Sequence, residues 1–251
     1  MTDVRLVPCL SDNYAVLVHS GDETLLVDAP DADAIQAALA ETGWTLTTIL
    51  ITHHHADHVK ALAAVRGNAH VVGPRGEAHR IDGLDQTVAD GETFSAGPFE
   101  ILAVETPGHT AAPASYVMNA EGIAFTGDTL FAMGCGRLFE GDAATMWASM
   151  RKLRDVVTDE TRIYCGHEYT LKNAQYAHSV LPDDAAVAER LASVEADRAE
   201  DKPTVPSVMA VEKATNPFLR ADDPAVARAL GMEGAAPEAV FATLREGRDT
   251  F

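Results

Sequence analysis

The segment Thr52-His53-His54-His55-Ala56-Asp57-His58 constrains the chain more than any other stretch. It follows the apolar, β-prone run Leu46–Thr52, so the chain enters it from a strand and leaves it into a helix. An extended backbone alternates its side chains, so His53 and His55 point the same way and His54 points away. Asp57 and His58 fall at the turn into the helix and face a second, neighbouring point. Two ligand pairs aimed at adjacent points indicate two metal ions. Imidazole nitrogen and carboxylate oxygen suit zinc, iron or manganese, and the cluster holds no thiolate. The rival reading makes Asp57 a plain helix cap among incidental histidines. The density of imidazoles argues against it.

Further ligands stand at the ends of later β runs, each beside a glycine: His109 in TPGHT, Asp128 in TGDTLF and His167 in YCGHEYT. A strand end followed by glycine lets a loop present a side chain without steric conflict.

With 251 residues, 47% of them hydrophobic, the chain can bury a substantial core as one large domain or a large one with an appendage. The N-terminus lacks the features of a signal peptide and no apolar run is long enough to span a bilayer, so a cytoplasmic protein that meets no membrane is expected. Cys9, Cys135 and Cys165 form no C-x-x-C pair and read as reduced core residues. A net charge of −19 disfavours nucleic acid as partner, and the short basic run Arg151 to Arg154 reads as a solvated helix face.

Strands are expected near Tyr14–His19, Thr24–Asp28, Leu46–Thr52, His70–Gly73, Phe99–Glu105, Ser115–Met118, Ile123–Thr126 and Arg162–Cys165. Helices are expected over Ala32–Glu41 and Ala143–Asp155. This is mixed α/β, with sheets covered by helices. Beyond Thr170 the composition turns to Ala, Glu, Arg and Asp, giving helices around Leu171–Val180, Ala185–Ala199, Pro224–Leu230 and Pro237–Glu246, with a loop at Glu200–Pro206. The expected division is 1–170 as catalytic domain and 171–251 as a small helical domain.

The pattern HxHxDH followed by a later His, Asp and His resembles the metallo-β-lactamase superfamily. That resemblance implies an αββα sandwich holding two metals at one edge. It implies His53, His55 and His109 at the first metal, Asp57, His58 and His167 at the second, and Asp128 bridging ions ~3.5–4 Å apart. Asp57 and Asp128 become the catalytic carboxylates. The motifs SDNYAVLV, GCGRLFEG, CGHEYT, EKATNPFLR and the terminal REGR are similar to the glyoxalase II branch. This likeness implies a helical C-terminal domain over the site and hydrolysis of S-D-lactoylglutathione and related 2-hydroxyacylglutathione thioesters to glutathione and D-lactate by a metal-bridged hydroxide. Two zinc ions come first as cofactor, with iron or manganese as alternatives, and a monomer is expected.

By the same resemblance Arg137, Tyr169, Arg245 and Arg248 hold the glutathione, and in so acidic a chain a glutathione carboxylate requires local cations of this kind. The bland alternative for Arg245 and Arg248 is an exposed helix end. Two positions depart from the family. Ala112 and Pro113 stand where a Gly-His pair is common, and Phe139 where a tyrosine is common, removing one hydroxyl contact. Cys135 reads as structural, since no base is paired with it. Other readings are a one-iron persulfide dioxygenase, a lactonase or a nuclease of the same superfamily, or a binding protein that has lost catalysis.

Overall fold

A computed structural model describes residues 2–251. Packing divides the chain into two compact units, one comprising the residues up to Glu105 together with Ala111–Gly127, the other Thr106–Thr110 together with Asp128–Phe251.

The first unit begins with a hairpin of β1 (Asp3–Cys9) and β2 (Asn13–Ser20), followed by β3 (Glu23–Val27), β4 (Thr48–Leu50), β5 (His70–Pro74) and β6 (Gln86–Val88), side by side in that order. The first three are antiparallel and the rest join parallel to β3. Helix α1 (Ala32–Thr42) makes the first crossover. Asp31 caps it, accepting from the backbone of Asp33 and Ala34, and Gly43 ends it in the left-handed conformation. Short helices α2 (Ala56–Val59) and α3 (Leu62–Val65) follow β4.

Strand registry puts Leu17 opposite Leu26, Leu26 opposite Ile49 and Ile49 opposite Val71. This apolar ladder packs with Ile35 of α1 and Leu62 of α3 in one buried cluster. The alternating residues Val16, Leu25, Leu50 and Val72 are buried too, so both faces of the sheet are covered, as its parallel half requires. Strands β7 (Thr93–Ala96), β8 (Phe99–Glu105), β9 (Ala114–Met118) and β10 (Ile123–Gly127) run antiparallel in sequence. Buried Tyr116 on β9 donates its hydroxyl to the Ile51 carbonyl at 2.8 Å, just past β4.

The second unit holds two small strand pairs, β11 (Leu130–Phe131) with β12 (Gly134–Cys135) and β13 (Arg162–Cys165) with β14 (Ser207–Val208). Its helices are α4 (Ala143–Val156), α5 (Thr170–Val180), α6 (Ala185–Ala199), α7 (Met209–Thr215), α8 (Pro224–Ala229) and α9 (Pro237–Thr250). Trp147 of α4 meets Phe241 of α9, which in turn meets Phe218. No helix among the described residues is long and apolar enough to cross a membrane.

Several expectations change. The strand expected over Leu46–Thr52 shortens to Thr48–Leu50, with extended chain on either side. β1 was not anticipated: it lies at the sheet's edge, alternates burial only weakly and carries Pro8, which an edge tolerates. Helix α9 runs to Thr250, four residues past the expected end, so both arginines of REGR lie inside it. Arg154 is more than a solvated face, because its guanidinium grips the Asp222 carboxylate at 2.8 and 3.0 Å and lies over Trp147.

Candidate metal centre

In the first unit the chain leaves buried β4 extended, so the alternation expected from the sequence governs which way the imidazoles face. The His53 ring lies 4.7 Å from that of His55 and 4.1 Å from that of His58. His53 and His58 are buried and His55 and Asp57 half-buried. His54 turns to the buried Glu77, whose carboxylate takes its Nδ1 at 2.7 Å and its backbone N–H at 2.9 Å. The Asn13 amide donates to the Asp57 carboxylate at 3.1 Å and to its backbone carbonyl at 3.3 Å.

Asp28, which the sequence reading passed over, organises this cluster. It closes β3 in the left-handed region at φ 57°, rare for a residue with a side chain. Its buried carboxylate accepts the Thr52 backbone N–H and hydroxyl, both at 2.8 Å, and faces His58 Nδ1 at 2.7 Å. A carboxylate that already accepts from Thr52 takes the imidazole proton too, so His58 is protonated on Nδ1 and carries its lone pair on Nε2. The Thr52 hydroxyl gives its one proton to Asp28 and therefore accepts from His53 Nδ1, 3.1 Å away. Both imidazoles are thereby set in the tautomer that ligates through Nε2. The only sequence signal for this role was an aspartate closing the apolar run of β3.

In the second unit His109, Asp128 and His167 are all buried. His109 sits in a tight turn where Gly108 has φ 142° and a Cβ would press on Met146. Its Nδ1 lies 2.9 Å from the Arg137 carbonyl. A carbonyl only accepts, so Nδ1 carries the proton and Nε2 the lone pair. That Nε2 lies 3.4 Å from an Asp128 carboxylate oxygen, and His167 Nε2 lies 3.2 Å from the same oxygen. A lone pair facing a carboxylate is repulsive unless a cation is shared between them, so the donor set fits a metal ion. The first unit thus gathers His53, His55, Asp57 and His58 and the second His109, Asp128 and His167, and each set offers the imidazole and carboxylate donors that divalent ions take.

The stretch that follows Asp128 is pinned from beneath. Glu212 of α7, fully buried, accepts the Met133 N–H at 2.8 Å, the Asn216 amide at 3.0 Å and the Ser207 hydroxyl. Burial pushes its carboxyl up. Asn216 also donates to the carbonyls of Phe131 and Gly134. Gly136 passes so close to the Asp128 carbonyl that any Cβ would collide with it. Glu212 and Asn216 both come from EKATNPFLR, whose part in the fold the sequence did not disclose.

The residues expected at the glutathione also lie in this unit. Tyr169 stacks on His167, with centroids 4.7 Å apart. Arg137 is 65% exposed, with Nε 3.5 Å from Asp249. Arg248 is half-buried and gives Nε to Asn173 at 3.0 Å, and it has no ion-pair partner among the described residues. Burial, then Arg245 and Arg137, hold its pKa below the usual guanidinium value. Arg245 is buried, donating to the Cys135 carbonyl at 2.7 Å and to Asp249 at 3.0 Å, so much of its bonding ties α9 to β12. Phe139, 62% exposed, sets its ring edge-on to His109. At the other departure, the Ala112 N–H donates to Glu77. Burial pushes the Cys135 thiol to about 11 and that of Cys165 to about 12, which removes the thiolate a nucleophile needs.

Comparison with known proteins agrees. Residues 10–167 match the model of the metallo-beta-lactamase superfamily, and residues 168–251 that of the hydroxyacylglutathione hydrolase C-terminus. The fold is the metallo-beta-lactamase fold with a C-terminal helical region: the chain superposes on the BLEG-1 B3 metallo-beta-lactamase with a TM-score of 0.67 at 22% identity, covering 86% of this chain and 99% of that one. A hydroxyacylglutathione hydrolase of Maricaulis maris is 49% identical over 99% of this chain and 98% of its own length. One of Ruegeria pomeroyi is 47% identical over 99% of both. The chain belongs to the hydroxyacylglutathione hydrolases of the metallo-beta-lactamase superfamily.

Proposed function

We propose that the protein hydrolyses S-D-lactoylglutathione and related 2-hydroxyacylglutathione thioesters to glutathione and the 2-hydroxy acid. The observation that carries this reading is the arginine group Arg137, Arg245 and Arg248 in the unit that holds Asp128 and His167. A chain of net charge −19 keeps cations together where an anion must bind. Family membership over nearly the full length supports it, and the persulfide dioxygenase and lactonase alternatives lack this support.

In this reading His53, His55 and His109 would hold one divalent ion and Asp57, His58 and His167 the other, with the Asp128 carboxylate available to both. Zinc is the ion of choice. When bound, such ions supply Lewis-acid polarisation and lower the pKa of water. The protein's own groups do the rest. Asp28 and the Arg137 carbonyl fix imidazole tautomers, Asn13 holds the Asp57 carboxylate, and Tyr169 walls the site beside His167. Arg137 and Arg248 take a glutathione carboxylate, and Arg245 supports them from within the helix. A thiolate leaves readily, so no strong general acid is needed. We further assign residues 1–170 to catalysis and 171–251 to substrate binding, in a cytoplasmic monomer that meets neither membrane nor nucleic acid.

Purified protein should hydrolyse S-D-lactoylglutathione far faster than a lactone or a β-lactam, lose the activity to a chelator and regain it with zinc. Elemental analysis should find about two ions per chain. Saturation at one ion with Asp57 and His58 dispensable would point instead to a mononuclear dioxygenase.

A further inference from the structure

We propose that Asp249, held by Arg245, is the counter-ion that sets anion selectivity at the arginine group by competing with the incoming carboxylate for Arg137. This rests on the glutathione reading above. One Asp249 oxygen lies 3.0 Å from Arg245 and 3.5 Å from Arg137 Nε. It is the only acid paired with any of the three arginines among the described residues, so one carboxylate stands against three guanidinium groups. Arg248 forms no ion pair among the described residues, and two of its charged neighbours, Arg245 and Arg137, are like-charged.

Asp249 is 43% exposed and Arg137 65%. A solvated pair of that kind is weak, and a better-placed carboxylate displaces it. A fully neutralised site would bind no anion, whereas three bare arginines would retain any anion, including the released product. Asp249 places the site between these limits, disfavouring anions that reach only one guanidinium.

The test titrates glutathione into the metal-loaded enzyme by calorimetry. Asp249→Asn should tighten the Kd by about fivefold, and Asp249→Glu, which keeps the charge, should bind as the parent does. Glutathione diethyl ester, with both carboxylates blocked, should show no tightening. An unchanged Kd in Asp249→Asn overturns the proposal by making the contact a plain helix-end pair. Weaker binding that Asp249→Glu restores also overturns it, because Asp249 then positions Arg245 instead of competing. A separate double change, Arg137→Ala with Arg248→Ala, tests the underlying reading: if it leaves glutathione binding untouched, the arginines are not the glutathione site, whatever the Asp249 variants do.

Discussion

The two units supply candidate ligands in opposite ways. In the first, four of them fall within six consecutive positions, His53 to His58, and one carboxylate, Asp28, sets two of the imidazoles at once. In the second, His109, Asp128 and His167 come from three separate loops, and their placement depends on glycines that permit close approach and on Glu212 and Asn216 beneath the Asp128–Arg137 stretch. Clustered ligands need only a local orienting group, because the strand already fixes their spacing. Dispersed ligands need a scaffold.

The largest effect is expected at Asp128, where two imidazoles converge on one carboxylate oxygen. Asp128→Asn keeps the size and removes the charge, so activity should fall by about a hundredfold or more and metal should be lost on purification. Near-normal turnover with full metal content would show that the dispersed set does not bind metal as assigned.

Next comes Asp28→Asn, which touches no expected ligand atom but releases the tautomer control of His53 and His58. Metal affinity should drop by about 10–100-fold, measured by competition with a chromophoric chelator. An unchanged affinity would mean that the strand alone orients the clustered set.

The scaffold of the dispersed set should fail differently. Glu212→Ala strands three buried donors, from Met133, Asn216 and Ser207, and should cost about 1–3 kcal/mol in urea unfolding. Metal affinity measured on the folded fraction should change less than in Asp28→Asn. The reverse ranking would erase the contrast between an orienting group and a scaffold.

The smallest effect is expected at a pair that belongs to neither set. The Arg154 side chain hydrogen-bonds Asp222 and holds its carboxyl below the usual range. Its stabilising contribution is therefore present above the unfolded carboxyl pKa of about 3.9 and is lost as the pH falls through the lower folded value. The pair is partly solvated, so Asp222→Asn should cost less than about 1 kcal/mol at pH 7. The difference between variant and parent should vanish in acid, and a difference that persists there would show that the contact is not ionic.

What the sequence determined by itself is what short-range periodicity carries. β8, β13 and α6 begin and end where their patterns place them, at Phe99–Glu105, Arg162–Cys165 and Ala185–Ala199. The outward turn of His54 and the common orientation of His53 and His55 follow from alternation along an extended backbone. The ligand types and their chemistry were legible because imidazole and carboxylate at that density have few other uses.

What only the tertiary structure decided are the partners of those groups. Asp28 reaches Thr52 and His58 across 24 and 30 residues, and Glu212 reaches Met133 across 79. A left-handed aspartate and a buried glutamate leave no periodic trace in the chain. Arg245 and Arg248 look equivalent in sequence, three positions apart on one helix, yet one is buried against the Cys135 carbonyl and the other lacks an ion pair. Packing against β12 made that distinction, because hydrogen bonds between distant segments depend on how the chain folds back and not on its local pattern.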